Sequence, residues 1–113
     1  MFLGWEKVEQ HQVLQHLIEL QAFFQEESRW IFWPKAADIY GKEVSYDSNR
    51  AVKWSLMAAS ELIAEKNHPK PLCDFIDCAA RDFVKSFCET NSPKTYEEEY
   101  AAICNAIEKL KND

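Results

Sequence analysis

Glycine is nearly absent from this sequence, since only Gly4 and Gly41 occur among its 113 residues. An antiparallel sandwich needs glycine at many of its turns, and phosphate-binding loops need it where the backbone approaches the ligand. Long apolar runs are also missing, and none approaches the roughly 20 residues that span a bilayer. No basic segment followed by an apolar stretch opens the chain, so no secretory signal is expected. These absences favour a helical, cytoplasmic protein that does not enter a membrane.

The cysteines lack the spacing of a metal site. No C-x-x-C pair occurs, and the intervals of five, ten and sixteen residues would place the thiols on different helix faces, whereas tetrahedral zinc needs converging ligands. His11 and His16 are five residues apart on one helix, too far around it to clamp a metal together. We therefore expect no metal, no cofactor and no disulfide, with reduced thiols at Cys73, Cys78, Cys88 and Cys104.

No pattern of residues points to catalysis. Cys78 is the thiol most exposed in the helical pattern, but Asp74 and Asp82 lie one turn away and oppose formation of a thiolate. The acidic residues that could act in pairs fall on faces expected to meet solvent, as do Asp74, Asp77 and Asp82, or in the first turn of a helix, as do Glu97 to Glu99. All three histidines are expected at the surface or at helix ends. No catalytic residue is predicted.

The net charge of −6, from 13 basic and 19 acidic residues, is unevenly distributed. Residues 1–33 and 72–113 are acidic, and residues 34–71 are close to neutral. A nucleic-acid-binding protein normally carries a basic stripe, and this sequence has none, so nucleic acid is not an expected partner. The acidic ends either attract a basic protein surface or serve solubility alone.

Apolar periodicity predicts four helices. The first covers residues 6–26, the second runs from Asp47 or Ser48 to about Asn67, and the third covers about 72–89 with the clearest i, i+3, i+4 pattern. A capping box, Thr95 followed by Glu98, begins the fourth helix. The third helix should turn inward the residues Leu72, Phe75, Ile76, Ala79, Ala80, Phe83, Val84 and Phe87.

Two proline-containing segments, 67–71 and 91–93, separate the last three helices. Between the first two helices, Trp30 to Trp33 are β-prone and Pro34 prevents a simple continuation of the helix. Residues 37–44 are expected to form two short extended arms around a turn at Gly41. The sequence thus predicts an all-α fold, a compact four-helix bundle with a short irregular or hairpin insert between helices 1 and 2. Residues 1–113 should form a single domain.

The insert and the start of the second helix hold three of the four tryptophans. Large aromatic side chains with a polar edge dominate both core packing and recognition. Two interpretations remain open: the rings form a recognition surface, or they close one end of the bundle as a core plug. The candidate partner-binding residues are Trp30, Trp33, Asp38, Tyr40, Tyr46, Arg50 and Trp54.

The order of motifs resembles a small family of uncharacterised bacterial and phage domains. The matching residues are Trp33, Ala37-Asp38, Gly41, Val44, Asp47, Ala51, Trp54 and Thr95 to Glu98. Before the last helix the family has a Trp-Asn-Asp-like run, where this chain has Phe87 to Asn91. The resemblance implies a fold and an order of elements, and it carries no function with it.

These observations favour a non-enzymatic protein-interaction module, for example a phage or mobile-element protein that binds a host factor. A small ligand-binding or enzymatic domain is the alternative, with a pocket lined by Trp30, Trp54, Asp38 and Arg50. Self-association through an exposed helix face is a third hypothesis, because a narrow bundle this rich in apolar residues does not readily hide all of them.

Overall fold

The computed structural model describes residues 3–33, 35–88 and 95–112. Within these ranges there are four α-helices and one two-stranded sheet, and the predicted all-α bundle with a hairpin insert is confirmed. The helices are α1 (Leu3–Phe23), α2 (Leu56–Asn67), α3 (Leu72–Lys85) and α4 (Tyr96–Asn112). The strands, β1 (Ala36–Ala37) and β2 (Lys53–Trp54), lie between α1 and α2, after a short 3-10 helix at Glu27–Arg29.

All four helices contribute to one apolar core. Val13, Leu17 and Leu20 of α1 are buried, as is Phe24 directly after it. The helix α2 contributes small side chains that allow α3 to approach closely. The fourth helix is capped as predicted, because the backbone N–H of Glu98 donates to Thr95 Oγ1. The buried cluster consists of Val13, Leu17, Leu20, Phe24, Leu56, Ala59, Ile63, Ala80, Val84, Ala102, Ile103, Ala106 and Ile107.

The face of α3 differs from the prediction. Phe75 was expected inside but is exposed, whereas Cys73 and Asp77 are buried. Successive residues of an α-helix are about 100° apart, and the buried stripe passes through Ile76, so Phe75 falls beside it. The helix also ends at Lys85, earlier than predicted, and the linker predicted at 91–93 lies outside the described residues.

The prediction that α2 begins at Asp47 or Ser48 is wrong, because the helix starts at Leu56. The hydroxyl of Ser48 does accept a backbone hydrogen bond, but from Arg50 in a local turn. Lys53 and Trp54 pair with Ala37 and Ala36 as antiparallel strands. This pairing holds the chain extended up to Ser55, which is the actual N-cap and accepts from the Ala58 N–H.

Replacing the true cap should therefore weaken the fold. We expect Ser55→Ala to lower the free energy of unfolding by about 1 kcal/mol, the usual loss for an N-cap. Ser48→Ala is the matched control and should lower it by less than about 0.5 kcal/mol, as for an ordinary surface substitution. Urea unfolding followed by circular dichroism measures both, and equal losses would contradict the assignment of Ser55 as the cap.

The sheet anchors the insert to the rest of the fold. In register, Ala36 faces Trp54 and Ala37 faces Lys53, and both alanines are fully buried. The predicted turn around Gly41 is present, closed by a bridge between Ala37 and Glu43. The predicted arms within 37–44 are therefore only part of the insert, because β1 takes its strand partner from residues 53–54.

Candidate functional site

Trp30 is partly buried and packs against the apolar core. Its indole Nε1 donates to Glu99 Oε1 of α4 at 2.6 Å, and its ring meets Tyr96 edge to face with centroids 6.3 Å apart. Glu99 is buried, and desolvation raises the pKa of its carboxyl group while the indole N–H opposes that rise. Trp30 thus fastens the start of the insert to the last helix.

Trp54 and Tyr46 form a second anchor. The indole Nε1 of Trp54 donates to the Tyr46 carbonyl at 2.9 Å, and its ring packs edge to face on Phe23 at 5.1 Å. The Tyr46 hydroxyl donates to Glu65 Oε2 of α2 at 2.6 Å, and this hydrogen bond raises the pKa of the Tyr46 hydroxyl. Both side chains therefore hold the insert against the rest of the fold.

Asp38 shapes the turn of the insert. Its Oδ1 accepts from the backbone N–H groups of Tyr40 and Lys42, each at 2.9 Å, as in an Asx turn. Gly41 takes a φ of +79°, a conformation that glycine adopts without strain. The result is a defined turn that carries Tyr40, whose side chain is 86% exposed, next to Ile39 at 72%.

Among the side chains that the structure describes, Trp33 is the other strongly exposed ring, at 75%, and its neighbour Phe32 is also exposed. The backbone is tied on both sides of this pair, because the Ile31 N–H donates to the Trp54 carbonyl and the Ser55 N–H donates to the Lys35 carbonyl. Phe32 and Trp33 therefore protrude next to backbone that is hydrogen-bonded at Ile31 and Lys35. We refer to Phe32, Trp33, Ile39 and Tyr40 as the exposed apolar residues of the insert.

A shallow depression of about 280 Å³ lies beside Trp33 and is called the Trp33 depression below. Of the four residues predicted to line a pocket, Trp30 lines it. Asp38 is engaged in the turn described above, and Arg50 is exposed. The residues that line the Trp33 depression are Trp30, Ile31, Phe32, Trp33, Lys35, Ser55, Leu56, Met57, Arg81, Lys85 and Glu99.

The structure also buries polar groups that were expected at the surface. His16 is 1% exposed, and its Nε2 lies 2.8 Å from Ser60 Oγ of α2. Asp77 is buried on α3 and pairs with Arg81 through two hydrogen bonds of 3.0 and 3.1 Å. Ser60 is fully buried, so the Ser–His contact is out of reach of a substrate. Helical spacing could have found His16, since it lies three residues after the buried Val13 and four before Leu20.

The cysteines and the other possible metal ligands considered from the sequence do not form a common site among the described residues. All four cysteines are free, and Cys78 is exposed, with its Sγ 3.8 Å from a guanidinium nitrogen of Arg81. Within residues 3–33, 35–88 and 95–112, no three His, Cys, Asp or Glu side chains are grouped to hold a metal ion. Among the helices described, none combines the length and apolar character needed to cross a membrane.

No protein-family model matches the chain, and neither a curated protein nor a solved structure shows significant similarity to it. The resemblance to bacterial and phage domains therefore stays a prediction. The function has to be argued from the division of the aromatic residues into anchored and exposed groups.

Proposed function

We propose that the chain is a non-enzymatic protein-interaction module that binds a protein partner through the exposed apolar residues of the insert. The observation that carries the proposal is the exposure of Trp33 and Tyr40, at 75% and 86%, with hydrogen-bonded backbone at Tyr40 itself and at Ile31 and Lys35 on either side of Trp33. Large apolar side chains that are exposed to water lose the free energy that burial would provide, and clusters of them are typical of binding sites. Their burial in an interface would supply the driving force for association.

The hydrogen bonds that fix the insert support the same function. Tyr40 stands on a turn stabilised by Asp38, and Trp33 lies between two segments that are hydrogen-bonded to residues 54–55. A binding loop that is already in its bound conformation loses less entropy on association. Tryptophan and tyrosine add large contact areas with few rotatable bonds. Asp38 is in this view a positioning residue, while Trp30, Tyr46 and Trp54 are structural anchors.

The predicted partner is a protein, and a phage or mobile-element protein that binds a host factor is the concrete version of the proposal. The net acidity of the sequence is compatible with it. The ligand-binding alternative receives less support, because the Trp33 depression is open and neither Asp38 nor Arg50 is among its lining residues. Self-association uses the same exposed residues and would appear as concentration-dependent mass in light scattering.

Exposed and anchored rings should respond differently to substitution. Trp33→Ala and Tyr40→Ala are each expected to change the free energy of unfolding by less than about 0.5 kcal/mol. Each should abolish capture of the partner from a native lysate, measured by mass spectrometry against the wild-type chain.

Val52→Ala is the matched control, since Val52 is exposed and apolar but lies outside the four exposed residues named above. It should retain the partner. If Trp33→Ala and Tyr40→Ala both retained it too, the proposal would be wrong. If both unfolded at much lower urea, the rings would be part of the stabilising core instead.

A further inference from the structure

The Trp33 depression combines an apolar wall with basic side chains at its rim. Phe32, Trp33 and Met57 are exposed and line it, so an apolar group entering the depression would meet apolar side chains. The charged residues of its lining are Lys35, Arg81, Lys85 and Glu99. Three of these four are basic, although the chain as a whole carries a net charge of −6.

The basic residues are not equally available to a ligand. Arg81 is largely buried and already paired with Asp77, so its charge is mostly satisfied. Lys35 makes only a long contact of 3.5 Å to Glu61 Oε1, and its side chain is 47% exposed. Lys85 is exposed at the last turn of α3. Lys35 and Lys85 are therefore the side chains that can meet an incoming carboxylate.

Glu99, the acidic residue of the lining, does not neutralise the charges of Lys35 and Lys85. Glu99 is buried and directs Oε1 to the indole of Trp30, away from a role as a competing surface anion. The first turn of α2, which also contributes to the depression, contains no acidic residue. Its helix dipole reinforces the two lysines but would not by itself make a site.

We infer that the Trp33 depression binds an acidic segment of the partner protein, with one apolar side chain on Trp33 and Met57 and flanking carboxylates at Lys35 and Lys85. This inference rests on the proposed function and specifies the chemistry of the partner. Complementary charge at the edge of an apolar contact gives specificity and speeds association. A segment rich in lysine or arginine would instead be repelled by the same rim.

The test uses the full chain and a peptide library displayed on phage. Peptides selected on the immobilised protein are synthesised with a fluorescent label, and binding is measured by anisotropy. We expect the selected peptides to place Asp or Glu beside an apolar residue. Lys35→Glu and Lys85→Glu should each weaken binding by about tenfold or more, as for loss of a charge pair in an interface. Added salt should weaken binding by the wild-type chain.

Lys66→Glu is the matched control, because Lys66 is exposed near the opposite end of α2. It should leave the affinity within about twofold, as expected for a charge remote from the interface. A selection that returns only neutral or basic peptides overturns the inference, as does equal binding by the wild-type and Lys85→Glu chains. Tighter binding of a labelled oligothymidine than of any peptide overturns it in favour of a nucleic acid. A concentration-dependent dimer that Lys85→Glu dissociates overturns it in favour of a second copy.

The two proposals fail in different ways. Suppose that capture of a protein from lysate requires Trp33 and Tyr40 but that this protein binds the Lys35→Glu and Lys85→Glu chains normally. The proposal of an interaction module then stands, and the inference of an acidic segment in the partner is wrong. If Trp33→Ala and Tyr40→Ala have no effect on capture, the proposed function itself is wrong.

Discussion

Trp30→Ala is expected to lower the free energy of unfolding by about 3 kcal/mol, as large aromatic-to-alanine substitutions in packed sites do. The substitution removes the edge-to-face contact with Tyr96 and the packing of the ring against the core. It also leaves the buried Glu99 carboxylate without its indole donor, which adds the cost of an unsatisfied charged group. For a domain of this length the thermal midpoint should fall by about 10 °C.

Trp30→Phe separates packing from hydrogen bonding. Phenylalanine keeps most of the apolar area but has no N–H for Glu99 Oε1. We expect a loss of about 1–2 kcal/mol, the cost of leaving one buried partner unsatisfied. Glu99→Gln provides the complementary test, because its amide oxygen still accepts from the indole and carries no charge to desolvate. It should be less destabilising than Trp30→Phe.

Urea unfolding of each variant, followed by circular dichroism, measures these differences. Trp33→Ala is the matched control for Trp30→Ala, since the two tryptophans are three residues apart but only Trp33 is strongly exposed. A Trp30→Ala chain as stable as the wild-type protein would mean that Trp30 is not an anchor. The site would then have to be redefined around it.

The helices could be predicted because their signals are local. Apolar spacing within each segment marked α1, α3 and α4, and the capping box at Thr95 and Glu98 fixed the start of α4 to within a residue. The start of α2 could not be predicted in this way. Ser48 has the chemistry of an N-cap, and only the distant pairing of Lys53–Trp54 with Ala36–Ala37 shows why the chain stays extended beyond it.

The sequence identifies the aromatic candidates but cannot separate the anchored rings from the exposed ones. Trp30 and Trp33 have the same side chain three positions apart, and nothing local distinguishes them. What separates them is Glu99, which accepts from Trp30 and lies 69 residues further along the chain. The sequence predicts Asp38 as a partner-binding residue, whereas its hydrogen bonds to the backbone of Tyr40 and Lys42 depend on a turn that only the structure defines.

Polarity misled the assignment of two core residues. His16 and Asp77 both lie on the buried stripes of their helices, but they were placed at the surface because ionisable side chains usually are there. Asp77 is buried because Arg81, four residues later on the same helix, satisfies both carboxylate oxygens. His16 is buried with Ser60 as a partner at Nε2, and its Nδ1 has no hydrogen-bond partner among the residues that the structure describes.

This burial makes His16 the source of an acid-sensitive fold. Desolvation lowers the pKa of His16 from 6.5 to about 4, opposed by the negative charge of Asp77 on α3 and assisted by His68. The unfolded chain therefore binds a proton at His16 between about pH 6.5 and pH 4, while the folded chain does not. The free energy of unfolding should fall as the pH falls through this window. Since each pKa unit of the shift corresponds to about 1.36 kcal/mol, the total loss should be about 3 kcal/mol.

Comparison of the wild-type chain with His16→Gln isolates this contribution. Glutamine can keep a hydrogen bond to Ser60 but does not titrate, so its free energy of unfolding should fall less steeply below about pH 6.5. Glu99 acts in the opposite direction, because a raised carboxyl pKa makes the folded state take up a proton first, and its effect cancels in the difference between the two chains. His11→Gln is the matched control on the exposed face of α1 and should follow the wild-type curve. If wild-type and His16→Gln stabilities stayed parallel from about pH 7 to pH 4, His16 would have to be charged within the fold, and its partner at Nδ1 would need to be found among the acidic groups of α3.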